Sequence, residues 1–384
     1  MSVAQNVQPH QRLGWLRWTV LASLVLSLLF GLALANARQG AETFRRALPG
    51  YVFQFPQDHA AHPEFRTEWW YYTGHLIAAK GRRFGFQLTF FRHALRPPAP
   101  ERKSRWALNN LYFVHFAITD EEEGTFRFQE KVSRGALDTA GARSEQYHVW
   151  VEGWEARSQD NSHKLRAGKE DMGIDLTLVP TKTAVVHGKD GVSQKAVGEG
   201  YGSHYYSLTR MHARGKLQWR GSSLEVSGQA WMDHEFGSNQ LREYQVGWDW
   251  FSVQLNDRTE LMLYIIRQRE GRADPSSSGT LVHPDGASEH LPLEKFKVET
   301  LSSWHSKKSG TTYPSGWRLR LPSKQLDVRL IPAVEDQELT TKKSTLVNYW
   351  EGSVRVTGNY RGKAISGLGY VELTGYDTAF RPDI

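Results

Sequence analysis

The sequence predicts an all-β protein built from antiparallel barrels or sandwiches. Apolar residues alternate with polar or small ones in short runs, as at Phe84, Phe86, Leu88 and Phe90. Alternation with a period of two is typical of strands that bury one face. Clusters of Gly, Asp, Asn and Pro interrupt these runs about every ten residues, a spacing found in all-β domains. After residue 37, no stretch has the periodicity of a convincing α-helix, although residues 293–300 are ambiguous.

The first 37 residues have the form of a secretory signal peptide. Arg12 and Arg17 precede an apolar run over residues 19–34, and Ala-Asn-Ala at residues 35–37 fits a cleavage site. The run is shorter than the roughly 20 residues of a typical membrane span, although an uncleaved membrane anchor remains an alternative. We therefore expect a mature chain that begins near Arg38 and is periplasmic or secreted.

Composition and charge narrow the classes of function. The chain has no cysteine, which excludes a disulfide framework and cysteine metal sites. Its net charge of +7 comes from Lys and Arg scattered among acids, whereas nucleic-acid binding requires a clustered basic patch. A weak association with membrane surfaces is compatible with this charge. The 14 Trp, 15 Tyr and 17 Phe suit a large apolar cavity or a carbohydrate platform.

Two series of strands predict two consecutive β domains. The second series starts after Asn239, so we place the boundary within residues 237–240 and expect domains at 38–238 and 239–384. Residues 271–290, in the second domain, are rich in Ser, Gly, Asp and Pro and predict an exposed loop. The seam between two domains is a favoured place for a ligand site.

The segment WMDHEFG, residues 231–237, lies at this predicted seam and is read as a strand that runs into a turn. Side chains alternate between the faces of a strand, so Trp231, Asp233 and Glu235 share one face and His234 points to the other. Desolvation by the neighbouring indole raises a carboxyl pKa, which would let Asp233 hold and deliver a proton near neutral pH. The candidate catalytic residues are Asp233, His234 and Glu235, and a structural ion pair is the alternative.

The segment FRTEWWYYTGHL, residues 65–76, is the densest aromatic cluster. By the same alternation Glu68, Trp70 and Tyr72 share one face, and a buried glutamate needs a polar partner. These three residues are candidates for ligand binding. A structural pair between Glu68 and Arg66 is the alternative.

The sequence predicts neither a metal site nor a bound cofactor. His59 and His62 could offer two metal ligands, but no third ligand is nearby and no helix presents them. A Gly-x-Ser-x-Gly elbow and a phosphate-binding loop are both missing, so a serine triad is not supported.

Four segments, in order, resemble the signature blocks of the AttH/CrtC lipocalin-like family: residues 65–76, residues 231–237, GWDWF at 247–251 and GLGYVELTGY at 367–376. This family includes carotenoid 1,2-hydratases and proteins described as predicted secreted hydrolases. The resemblance implies two consecutive lipocalin-like antiparallel β-barrels, a proton-donor role for Asp233 and, for some members, genes beside ABC transporter components. The candidate ligand-binding residues within these blocks are Glu68, Trp70, Tyr72, Trp231, Trp248, Trp250, Tyr370 and Glu372.

These features favour an exported carrier of a bulky apolar ligand, a lipid or an isoprenoid-like molecule, in which Asp233 could also act as an acid. An ABC transporter system is a candidate partner. The alternative is a hydratase in which Asp233 protonates an isolated alkene and Glu235 or His234 orients water. A carbohydrate-binding protein with exposed Trp rings is a weaker alternative. In the hydratase, four rings are candidates to stabilise the carbocation, those of Trp70, Tyr72, Trp231 and Trp248.

Overall fold

A computed structural model describes residues 43–98, 109–169, 171–239 and 241–379. The predicted signal segment, residues 1–37, lies outside the described residues. The all-β prediction is confirmed, because the described residues form two antiparallel sheets, a near-barrel and a half-barrel, and contain short 3-10 turns but no α-helix. No described helix is long and apolar enough to cross a membrane.

The first sheet has thirteen strands, and its main path runs in the order β4-β3-β2-β1-β13-β12-β9-β8-β7-β6-β5, with β10 and β11 paired to β12. The long strands β12 and β13 lie at its centre, next to β1. The strands are β1 Thr67–Ile77, β2 Arg83–Ala94, β3 Asn110–Asp120, β4 Thr125–Ser133, β5 Ala140–Ala142, β6 His148–Val151, β7 Trp154–Gln159, β8 Ser162–Lys169, β9 Met172–Pro180, β10 Val185–Val186, β11 Ser193–Gln194, β12 Gly202–Trp219 and β13 Ser222–Asn239.

The second sheet has ten strands in the order β17-β16-β15-β14-β23-β22-β20-β19-β18, with β21 paired to β22. Its strands are β14 Gln245–Leu255, β15 Glu260–Gln268, β16 Ser278–Val282, β17 Ser288–Pro292, β18 Lys297–His305, β19 Thr312–Leu321, β20 Leu326–Pro332, β21 Glu338–Thr340, β22 Asn348–Tyr360 and β23 Lys363–Leu373. The 3-10 turns are Gln57–His59, Ala79–Gly81, Ala136–Asp138, Leu293–Lys295 and Pro322–Lys324.

The first sheet ends at Asn239 and the second begins at Gln245, close to the predicted boundary. That the two sheets are separate folding domains stays a prediction. Two local expectations are wrong. Residues 231–237 do not enter a turn but lie inside β13, and residues 271–290 are not a loop throughout, because they contain β16. Gly279 lies in β16, opposite Leu263 of β15, and a Cβ at this position would lie 2.3 Å from the Leu263 side chain, so the close approach of the strands favours glycine.

The buried apolar side chains of the described residues form four clusters, and the three larger ones are the two sheet cores and the contact between the sheets. The first sheet encloses a core that includes Trp70, Phe86 and Leu176, and the second packs around Trp317 and Trp350. A third, smaller cluster connects the sheets and consists of Tyr71, Tyr205, Trp231, Trp250, Met262, Tyr264, Ile266 and Tyr370.

Candidate active site

A cavity lies between the two sheets, at the seam where the sequence predicts a ligand site. Its volume of about 170 Å³ is more than ten times the roughly 10–15 Å³ that one water molecule requires, so it can hold a small organic molecule. Its lining is mostly apolar. The lining residues that matter for chemistry are Trp69, Tyr71, Lys195, Tyr205, Asp233, Glu235, Trp248, Trp250, Tyr264 and Glu372.

The pairing of β1 with β13 decides which side chains face the cavity. Tyr71 lies opposite Asp233 and Trp69 lies opposite Glu235. Because directly opposite residues of an antiparallel pair share a face, the cavity receives these four side chains together. Trp231, two residues before Asp233, lies on the same face and packs in the inter-sheet cluster.

Asp233 is surrounded by neutral hydrogen-bond donors. Its Oδ2 accepts from the hydroxyl of Tyr205 at 2.8 Å, and its Oδ1 accepts from the indole N–H of Trp231 at 2.6 Å and from the hydroxyl of Ser207. The side chain lines the cavity, yet Asp233 is only 4% exposed. Burial raises the pKa of Asp233 to about 7, against the opposing effect of the three donors. The carboxyl can therefore carry a proton at neutral pH.

Glu235 differs from Asp233 because it has a cation beside it. The Lys195 ammonium lies 3.1 Å from Oε1 of Glu235, and the Ser203 hydroxyl donates to the same oxygen. Lys195 also lies over the ring of Tyr264, 4.2 Å from its centroid. Burial favours the neutral amine, but Glu235 and Tyr264 raise the pKa of Lys195. We infer that Lys195 and Glu235 form an ion pair in the cavity wall.

Two more carboxyl groups, those of Glu372 and Glu351, lie on the second sheet, and of these Glu372 lines the cavity. Glu372 accepts a hydrogen bond from the indole N–H of Trp248 at 3.0 Å, and burial raises its pKa to about 7. Glu351 lies directly opposite Glu372 in the β22–β23 pair. Burial and then the charge of Glu372 raise the pKa of Glu351 well above its ordinary value, because two adjacent carboxylates repel each other.

The structure does not bring Trp70, Tyr72 and His234 together with Asp233. They project into the core of the first sheet, where the ring of Trp70 stacks on that of His234 at 4.9 Å. The hydroxyl of Tyr72 is hydrogen-bonded to Tyr147 at 2.5 Å. The physical reason is the pleat, since Trp70 lies opposite His234 and one residue out of phase with Asp233. A carbocation formed at Asp233 is therefore not in contact with these rings.

Tyr370 and Glu68 lie at the margins of the site. Tyr370 belongs to the inter-sheet cluster but not to the cavity lining, and its ring packs 5.4 Å from that of His75. Glu68 reaches the lining, but its oxygens accept from Arg92 Nε at 3.0 Å and from ring nitrogens of His62 and His234 at 2.9 Å each. Burial opposes its ionisation, but Arg92 and the histidines lower the pKa of Glu68.

His62, Glu68 and His234 have the donor types of a metal site, and their ligand atoms lie within 4.8 Å of one another. The atoms are already used, however, because both imidazoles are hydrogen-bonded to the same oxygen of Glu68. The guanidinium of Arg92 occupies the other oxygen and would repel a cation. This cluster, which we name the Glu68 cluster (His62, Glu68, Arg92 and His234), fits a buried ion network better than a metal site.

A loop forms one wall of the cavity. Residues 341–347 connect β21 to β22, and Thr345 and Val347 line the cavity. The carboxylate of Glu130 on β4 accepts the backbone N–H groups of Lys343 and Ser344 at 3.0 Å each. This contact anchors the loop to the first sheet.

Several site residues escaped the sequence interpretation. Tyr71 and Trp69 could have been found from their alternation with Trp70, had the register with β13 been known. Lys195 and Ser207 carry no local signal. Lys195 follows the two-residue strand β11, and Ser207 is one polar residue in the long strand β12.

The fold and this cavity define a two-sheet lipocalin-like protein with a buried acid at the junction of its sheets. The AttH-like family model matches residues 46–376, so the chain belongs to the AttH-like family. This confirms the resemblance read from the four sequence blocks.

Solved structures agree with this assignment. An AttH-type protein from Nitrosomonas europaea is 30% identical, with a TM-score of 0.79 over 87% of this chain and 100% of that chain. Kievitone hydratase from Nectria haematococca has a TM-score of 0.67 over 88% of this chain and 97% of that one. At 16% identity, it shows the shared fold.

A curated relative is the dehydratase asqC of Emericella nidulans. It is 22% identical over 231 residues, which are 58% of this chain and 64% of that protein. The chain therefore spans less than two thirds of the length of this relative.

Proposed function

We propose that the protein is a hydro-lyase that adds water to, or removes it from, an isolated alkene of an uncharged apolar substrate, with Asp233 as the acid. One observation carries this proposal: a carboxyl group that burial keeps protonated near neutral pH faces a cavity lined by aromatic rings. The names of two relatives, a hydratase and a dehydratase, support the same class of reaction. These names support the hydratase hypothesis better than the carrier hypothesis that the sequence favours.

In the hydration direction, Asp233 gives its proton to one alkene carbon, and the positive charge develops on the other carbon. The rings of Trp69, Trp248 and Trp250 line the cavity that Asp233 faces, whereas Trp231 contacts Asp233 through its indole N–H and is not part of the lining. A cation over an aromatic face gains up to ~2 kcal/mol when water is excluded. The water oxygen then bonds to the cationic carbon, and the oxonium loses a proton to a base.

We assign the role of the base to Glu372. It lines the cavity from the second sheet, and its raised pKa indicates a group that exchanges a proton near neutral pH. General-base assistance of this kind contributes roughly 10²–10⁴-fold to a rate. Because Asp233 ends the cycle ionised and Glu372 ends it protonated, one proton has to return to Asp233 before the next turnover.

The direct test uses purified protein, a panel of uncharged isoprenoid and prenylated aromatic alkenes, and water labelled with heavy oxygen. We expect one substrate to gain one labelled hydroxyl group, detected by mass spectrometry. Asp233→Asn should abolish this gain while the apolar substrate still binds. Full turnover by Asp233→Asn would eliminate the mechanism.

A carrier function is the second candidate, and the predominantly apolar lining of the cavity favours it. Under this proposal, a lipid copurifies with the protein, stays unchanged on incubation, and binds wild type and Asp233→Asn equally. A carbohydrate platform has less support, because Trp231 and Trp250 are only 2% and 6% exposed.

A further inference from the structure

A line of hydrogen bonds leads away from Asp233, behind the cavity wall, to the second sheet. The Ser207 hydroxyl contacts Oδ1 of Asp233. His187 Nε2 lies 2.6 Å from the Ser207 oxygen, and His187 Nδ1 lies 2.8 Å from the Thr280 hydroxyl. Ser207, His187 and Thr280 are all buried, and none of them lines the cavity.

The chemistry of His187 gives this line a direction. Burial, then the charges of Lys195 and His290, lower the pKa of His187 well below its ordinary value, so the ring is neutral. A neutral imidazole has one N–H donor and one acceptor nitrogen. When Nε2 carries the hydrogen, it donates to the Ser207 oxygen, and the Ser207 hydrogen is left to point at Asp233. Thr280 can then donate to Nδ1.

The opposite tautomer has the opposite effect on Asp233. If Nδ1 carries the hydrogen, it donates to Thr280, and Ser207 donates to the lone pair of Nε2. The Ser207 oxygen then turns a lone pair toward Oδ1, which stabilises the protonated carboxyl instead of the carboxylate. The ionisation of Asp233 and the tautomer of His187 are therefore linked through one hydroxyl group.

We propose that Ser207 and His187 are positioning residues for Asp233: the tautomer of His187 sets whether Ser207 donates to or accepts from Oδ1, and Thr280 connects this pair to the second sheet. This inference rests on the proposed role of Asp233 as the acid. Trp231 is a second donor to Oδ1 and cannot reverse, because an indole N–H only donates. Ser207 is thus the adjustable partner of this oxygen.

Other charges also face these groups. Asp233 interacts electrostatically with the carboxyl groups of Glu235, Glu351 and Glu372 and with the ammonium group of Lys195. None of them touches Ser207 in the described hydrogen-bond network. A change confined to Ser207 or His187 therefore leaves these charges in place.

The test is an infrared pH titration without substrate, in which the carbonyl band absent from Asp233→Asn identifies protonated Asp233. Removal of a donor to the carboxylate in Ser207→Ala should raise the midpoint from about pH 7 by about one unit, a tenfold change in the dissociation constant. His187→Phe should raise the midpoint by a smaller amount, which corresponds to about a two- to threefold lower dissociation constant, because Ser207 remains but is less polarised.

The double variant is the decisive comparison. If His187 acts through Ser207, then Ser207→Ala/His187→Phe should have the midpoint of Ser207→Ala alone, since coupled residues are not additive. Ser203→Ala is the matched control, because Ser203 lies on the same strand and donates to Glu235 instead. The dissociation constant of Asp233 in Ser203→Ala should stay within about twofold of the wild-type value.

Two results would overturn the inference: an unchanged midpoint in Ser207→Ala, or additive shifts in the double variant. If His187→Phe does not fold, His187→Asn replaces it, because the shorter side chain cannot span from Ser207 to Thr280. Loss of the proposed function has a different signature. Asp233 would then titrate as described while no alkene in the panel gains water.

Discussion

Asp233 and His234 are neighbours in sequence, yet their side chains face two chemically different regions of the molecule. On the inner face of the first sheet, Glu68 is surrounded by Arg92, His62 and His234, and its pKa is lowered. On the cavity face, Asp233 accepts from hydroxyl and indole donors and forms no salt bridge with any described residue, and burial raises its pKa. Burial alone does not decide the charge of a carboxyl group; the type of partner does.

The largest difference between the two faces should appear in stability. Glu68→Gln leaves the buried Arg92 without the carboxylate that it contacts, and loss of one partner of a buried ion pair costs about 3–5 kcal/mol. Asp233→Asn should be at least as stable as wild type at pH 8, because it removes a carboxyl whose ionisation burial opposes. Urea unfolding of both variants checks this contrast. Equal destabilisation by the two substitutions would contradict it.

The Glu68 cluster should also make stability depend on pH. Although burial favours the neutral ring, Asp58 and Glu68 raise the pKa of His62 to about 9 from 6.5. The folded state therefore holds this proton more tightly, so its contribution is complete below about pH 6.5 and is lost as the pH rises through 9. At about 1.4 kcal/mol per unit, the loss is about 3 kcal/mol. Urea midpoints measured from pH 6 to 10 should show it, and His62→Gln should lack it.

A matched pair on β1 separates the faces more finely. The Tyr72 hydroxyl is hydrogen-bonded to Tyr147 and His163, so Tyr72→Phe should cost about 1–2 kcal/mol. The buried Tyr71 hydroxyl has no hydrogen bond of good geometry among the described residues, so Tyr71→Phe should change stability by under about 0.5 kcal/mol. Thermal unfolding measures both. A larger loss for Tyr71→Phe would show that the cavity face carries more of the stability.

The smallest expected effect on stability concerns the loop of residues 341–347, which forms one wall of the cavity. Glu130→Ala removes the acceptor of two backbone N–H groups in the loop of residues 341–347. Trypsin should then cut faster after the exposed Lys342 and Lys343, with little change in thermal stability. Glu122→Ala is the control, since Glu122 has no contact with this loop in the described network. Equal cleavage of both variants would argue against the anchor.

The sequence predicted the parts of this arrangement that depend on local alternation. It gave the all-β class and placed Asp233 and Glu235 on one face of their strand. Local alternation does not predict the pairing of β1 with β13, in which the partners lie 150 to 170 positions apart, from Ile77 with Ser227 to Thr67 with Gly237. For that reason, the sequence predicts Trp70 and Tyr72 as ligand-binding residues, whereas Trp69 and Tyr71 line the cavity.

Other parts of the site have no local signature at all. Ser207 reaches Asp233 because β12 pairs with β13. Lys195 reaches the cavity because it follows β11, which contacts Tyr264 of the second sheet. The prediction of an exposed loop at residues 271–290 failed for a related reason. There, small residues such as Gly279 are required by close packing against β15 rather than by a turn.

The acid and the proposed base belong to different sheets: Asp233 lies on β13 and Glu372 on β23. Neither half of the chain therefore contains a complete reaction centre. During synthesis, Asp233 on β13 is made long before Glu372 on β23. The nascent protein would therefore have no catalytic activity until its last strands have folded. Reactivity in this protein would then report that the whole chain has been assembled.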